Sequence, residues 1–125
     1  MKKTPRIMVC VTRQKTCERL IQTGSFMAKE TQADLSVVHV ERPGVNFLGN
    51  PSESEALEYL FQVSSSFHAD LTVLREDDVV DTLVRYVKKN GVVALVMGRP
   101  PVEESEDSIV RQLRNRLPDV NIMVI

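Results

Sequence analysis

The run Val84–Pro100, VRYVKKNGVVALVMGRP, constrains this chain more than any other stretch. Val84 and Val87, followed by Lys88-Lys89-Asn90, read as the last turns of an amphipathic helix, and Gly91 as its stop. Val92 to Met97 is then an unbroken apolar run, which suits a strand buried on both faces and hence a parallel sheet covered by helices. In open α/β sheets, ligands bind just beyond the carboxyl ends of the central strands. Gly98, Arg99 and Pro100 stand at that end and are the first candidate site residues.

The same alternation of strand and helix patterns runs along the whole chain, the signature of βαβ units. Arg6–Val11 reads as the first strand, and a helix follows from an N-cap at Thr16 to Glu30, with Cys17, Leu20, Ile21, Gly24, Met27 and Ala28 as its apolar stripe. Leu35–Val40 is the second strand. Ser52 to His68 is a helix opened by a capping-box pattern that buries Ala56, Leu60, Val63 and Phe67. Leu71–Leu74 alternates, as expected of an edge strand. Asp77 and Asp78 favour the start of the next helix, which buries Val80, Leu83, Val84 and Val87. After the fourth strand come an acidic connection, Glu103–Asp107, a helix burying Ile109, Val110, Leu113 and Leu117, and a last strand, Asn121–Ile125.

The first and fourth strands are the most uniformly apolar and belong at the sheet's centre. Right-handed crossovers then give an α/β fold with an open five-stranded parallel sheet of order 3-2-1-4-5 and helices on both faces. Winding reverses between strands one and four, so Val11, Thr12 and Arg13 are expected to face Gly98, Arg99 and Pro100 across a crevice. His39 and Val40, ending the second strand, lie beside it. Two guanidinium groups, Arg13 and Arg99, could clamp a phosphate bidentately. Both could equally be solvated surface arginines, one of them paired with Glu41, and His39 could stack on a base or simply be hydrogen-bonded. The loop Glu41–Pro51 carries Phe47 and Leu48, which either form a lid or tuck back onto the domain.

With 125 residues, one domain (1–125) is expected, large enough to bury a core without a metal or disulfide. A net charge of −1 gives no electrostatic case for nucleic acid or an anionic membrane. No apolar run reaches the roughly 18 residues of a membrane span, and no secretory leader is visible, so the expectation is a cytoplasmic protein. Cys10 and Cys17 are too few for a disulfide framework or zinc site and read as reduced packing residues. The last strand ends the chain on an apolar edge, and pairing Ile122, Met123, Val124 and Ile125 with a symmetry mate would satisfy it. A homodimer is expected on that ground.

RIMVCVTRQKTCERLI, LSVVHVERPG, SEALEYLFQVSSSFHADLTVL, DDVVDTLVRYVKKNGVVALVMGRP and LPDVNIMVI together resemble the universal stress protein superfamily, in order and over nearly the whole chain. The likeness is greatest to the universal-stress-like domain of KdpD-type potassium sensor kinases. The resemblance implies the same sheet, dimers through the last strand, and a regulatory or stress-response role in signal transduction, with a sensor kinase or other signalling protein as partner. It also implies an adenine nucleotide, ATP or AMP or cyclic di-AMP, as ligand.

ATP-binding members carry G-x-x-G, nine residues, then G-[S/T] after strand four, with an acid ending strand one. Here Gly98 fills the first position, while Pro101, Arg111 and Gln112 occupy the others and Val11, Thr12 and Arg13 replace the acid. Pro101 has no N–H to offer a phosphate. The cyclic di-AMP pattern S-x-S, twenty residues, F-T-A-x-Y falls on Thr12-Arg13-Gln14 and Leu35-Ser36-Val37-Val38-His39, keeping hydroxyls at Thr12 and Ser36. No nucleophile–base pair, paired carboxylates or metal-ligand cluster marks an enzyme. Two readings remain: a non-catalytic sensor of a small anionic ligand, or a protein-interaction module whose nucleotide site has decayed.

Overall fold

The computed structural model describes residues 4–44, 46–98 and 103–125, with side chains for all of these except 103–108. Five parallel strands form one sheet: β1 (Arg6–Cys10), β2 (Asp34–Glu41), β3 (Asp70–Arg75), β4 (Val92–Met97) and β5 (Asn121–Val124), in the order β3-β2-β1-β4-β5. Four helices connect them: α1 (Gln14–Thr31), α2 (Glu53–Ser66), α3 (Val79–Asn90) and α4 (Glu103–Arg116). The order read from the hydrophobic runs is the one observed.

Alternation along the central strand divides the core into two layers. Ile7, Val9 and Val11 point to the side of α1 and α2, where they meet Cys17, Leu20, Ile21 and Leu60. Met8 and Cys10 point to the other side, against Leu83, Val84, Leu95 and Leu113. α1 sits so close to the sheet that a Cβ at Gly24 would overlap Val9 Cγ2 and lie 3.1 Å from Leu35 Cδ1.

Local signals hold in part. Asp78 caps α3 by accepting the Asp81 N–H at 3.0 Å, and Gly91 ends that helix with φ +64°. Thr16 is not an N-cap. α1 begins at Gln14, Arg13 is its capping position, and the Thr16 hydroxyl donates back to the Arg13 carbonyl at 3.4 Å. Ser52 does occupy the N-cap of α2 but makes no side-chain cap bond, and its own N–H, which a capping-box Glu55 would take, donates to Asn50 Oδ1 at 2.8 Å. Ser64, rather than Val63 or Phe67, joins Ala56 and Leu60 as fully buried on α2. The acidic run Glu103–Asp107 lies in the opening turns of α4, not in a connection ahead of it.

The fourth strand departs from burial on both faces at one residue. Arg6 pairs with Val92 and Ile7 with Ala94, so Val93 is an extra residue bulged out of the ladder, 48% exposed. Among the described residues, no helix is long and apolar enough to cross a membrane.

Candidate functional site

The crevice forms where β1 and β2 end and their chains part. Val11 is fully buried there, its N–H donating to the Val38 carbonyl at 3.0 Å and its own carbonyl accepting from His39 Nδ1 at 2.7 Å. The chain must therefore turn immediately, and Thr12 and Arg13 emerge into solvent before α1 starts. No side chain caps that start and no acidic residue stands in its first turn; the Thr16 N–H turns back to the Arg13 carbonyl at 3.3 Å, and the N–H groups ahead of it have no intrahelical partner.

A cavity of about 340 Å³ opens above these strand ends. Its floor is Cys10 and His39, both buried, and its rim carries the exposed Thr12, Arg13 and Arg42. Val40, Val79 and Ile109 supply apolar walls, and Glu41, Asn46 and Gly49 complete the lining. Arg13 and Gly49 also border a second depression of about 550 Å³ with Gln14, Lys15 and Asn50.

His39 is 5% exposed, and its ring meets Phe47 edge-on, with centroids 4.7 Å apart and planes at 65°. Burial pushes its pKa below the ordinary 6.5, and the Val11 carbonyl and the Glu41 charge oppose that. Glu41 does not pair with Arg13. Its Oε2 lies 2.9 Å from the Arg75 guanidinium, which also reaches Glu53 at 3.1 Å. Phe47 and Leu48 are each 2% exposed, so the loop tucks back rather than hanging over the crevice as a lid. Asn50 Nδ2 ties that loop to α1 by donating to Gln14 Oε1 at 2.9 Å.

Burial pushes both thiols up to about 12, and Cys17 Sγ–H donates to the Arg13 carbonyl at 3.1 Å. Both cysteines are free and buried, as packing residues should be. Among the described residues, no group of three or more His, Cys, Asp or Glu side chains could hold a metal ion.

Of the residues singled out in the sequence, Thr12, Arg13, His39 and Val40 line the cavity. Val11 lies beneath it and acts through its carbonyl. Gly98 is not needed for backbone strain or space: its φ is not positive, and a Cβ there would meet Leu20 Cδ1 at an ordinary 3.4 Å. Arg99, Pro100 and Pro101 lie outside the described residues. Ser36 is at the wrong end of β2 for the cyclic di-AMP pattern, its hydroxyl accepting from Arg6 Nη1 at 2.6 Å near Asp70. Leu35 is likewise committed to the core. Arg42, Asn46, Gly49, Val79 and Ile109 went unnamed as lining residues. No spacing rule connects these positions, because they come from a loop and two helices that meet only in the fold.

The universal stress protein family profile matches residues 3–107. The chain belongs to the universal stress protein family. The universal stress protein UspA from Lactobacillus plantarum superposes with a TM-score of 0.74 at 14% identity, covering 100% of this chain and 99% of that one. The universal stress protein from Archaeoglobus fulgidus in complex with dAMP gives 0.68 at 16% identity, covering 100% and 99%. A universal stress protein in complex with cAMP gives 0.70 at 11% identity, covering 99% and 98%. These identities carry the fold, which is that of the adenine nucleotide alpha hydrolase-like proteins. No curated protein sequence matches the chain.

Proposed function

We propose that this chain is a non-catalytic, KdpD-like regulatory module that senses a mononucleotide in the cavity above the ends of β1 and β2, on the β2 side of the strand one/strand four crevice expected from the sequence. The observation that carries the reading is the polarity of the 340 Å³ cavity: a neutral floor of His39 and Cys10 under a rim of Arg13 and Arg42. A nucleotide has the same polarity, a flat, weakly polar base joined to an anion. The uncapped start of α1 adds donors beside Arg13, where a phosphate gains from both the guanidinium and the helix dipole. Complexes of structural neighbours with dAMP and with cAMP support a nucleotide as the occupant. Gly98, Arg99 and Pro100, which follow β4 in the sequence, are proposed as further phosphate contacts. Among the described residues both thiols are held neutral by burial and Glu41 is engaged by Arg75, which favours binding over catalysis.

In this reading the module works in the cytoplasm as a homodimer and hands its ligand state to a sensor kinase. The second reading, a protein-interaction module with a decayed site, is favoured by the exposed aromatics Phe26 (65%) and Phe61 (60%). Calorimetry with AMP, ATP and cyclic di-AMP separates the two. Saturable binding that Arg13→Ala weakens by about 1.5–3 kcal/mol supports the sensor. No heat from any of the three supports the interaction module.

A further inference from the structure

We propose that His39 selects the base of the ligand, by requiring a hydrogen-bond donor where adenine carries its 6-amino group. The inference rests on the nucleotide reading above and names its recognition element. The imidazole is held in one orientation by its Nδ1–H···O bond to Val11 at 2.7 Å and by a T-shaped contact with Phe47, the ring centroids 4.7 Å apart. A neutral imidazole has one N–H, and the Val11 carbonyl can only accept. The proton therefore sits on Nδ1, and Nε2 presents a lone pair. Among the described residues, the buried side-chain polar atoms without a hydrogen bond are Ser64 Oγ and Glu41 Oε2, the latter in its ion pair with Arg75 at 2.9 Å. The ring's described hydrogen bond is made by Nδ1 alone, Nε2 is not among those buried atoms, and the ring lines the cavity, so the Nε2 lone pair is offered to an occupant.

The rest of the lining decides which part of a nucleotide reaches that atom. Arg13 and Arg42 offer only donors and stand at the exposed rim, which suits the phosphate. Sinking the phosphate toward Cys10, Val79 and Ile109 would strip its water without compensation. The base goes down instead, and its exocyclic N–H meets Nε2. A purine with hydrogen at that carbon leaves the imidazole acceptor dry and unpaired.

Titration calorimetry with AMP and with purine riboside 5′-monophosphate, which lacks only the amino group, tests this. The native protein is expected to bind AMP about tenfold tighter. His39→Asn keeps an amide donor for the Val11 carbonyl but loses the second nitrogen, so the two ligands should bind it within about twofold of each other. A direct readout needs no variant. The ¹⁵N resonance of His39 Nε2 in the native protein should show an unprotonated nitrogen that shifts on saturation with AMP and not with the purine analogue. Equal affinity of the native protein for both ligands, or an unmoved Nε2 resonance, overturns the assignment and leaves the nucleotide reading standing. Failure of both ligands to bind at millimolar concentration overturns the nucleotide reading and this assignment together.

Discussion

Burial of His39 makes the fold sensitive to mild acid. Its folded-state pKa lies below the ordinary 6.5, so the unfolded chain takes up the proton first. The stability linked to this group is complete above pH 6.5 and is lost as the pH falls through the folded value. Urea midpoints measured at pH 7.5, 6.5 and 5.5 should decline more steeply for the native protein than for His39→Asn, and parallel curves would remove His39 as the source. Ser64 offers the opposite lever. Its hydroxyl is buried on α2 with no partner, a desolvation cost with nothing returned. Ser64→Ala should raise stability by about 1 kcal/mol, read as a higher urea midpoint at unchanged slope. Neither effect was visible in the chain itself. The carbonyl that fixes the His39 tautomer belongs to Val11, 28 residues away, and the missing partner of Ser64 is a fact of packing.

Between elements, the tightest constraint is Gly24. The stripe on α1 placed it on the buried face, but only the fold shows that the helix rests directly on Val9 and Leu35. Gly24→Ala, although a better helix former, should destabilise by about 1–3 kcal/mol because α1 must lift from β1. Thermal melts check it, and an unchanged midpoint would mean that the helix yields freely. Helix and strand identities were legible here because period and length agree with burial, as at Val92–Met97. Helix starts were less so. Thr16 offered suitable cap chemistry, yet Val11 is pinned on both its N–H and its carbonyl, which forces the turn earlier and puts Arg13 at the cap. The same pinning exposes Thr12 and Arg13, so that this part of the site could be found from strand ends alone. Arg42, Asn46 and Gly49 could not, because their place depends on Phe47 and Leu48 folding inward to anchor the loop.

At the scale of the molecule, strand order followed from which runs were uninterrupted, since only central strands are covered on both faces and flanked on both edges. The same logic leaves β5 with an open edge among the described residues. Amides alternate sides along a strand. The Ile125 N–H donates to the Met97 carbonyl at 3.0 Å, so Met123 and Ile125 face β4 while Ile122 and Val124 turn their backbone groups outward. Of this outward row the Ile122 carbonyl accepts from Arg114 Nη2 at 3.4 Å, and the open groups that remain on an apolar strand are a template for a second copy, since two-fold pairing satisfies both edges at once. Light scattering at tens of micromolar should give the mass of a dimer. Val124→Pro removes one outward donor and no bond to β4, a position where an edge strand tolerates proline. It should therefore yield a folded monomer with an unchanged far-ultraviolet spectrum. A native protein of monomeric mass, or a Val124→Pro dimer as strong as the native one, would place the contact elsewhere on the surface.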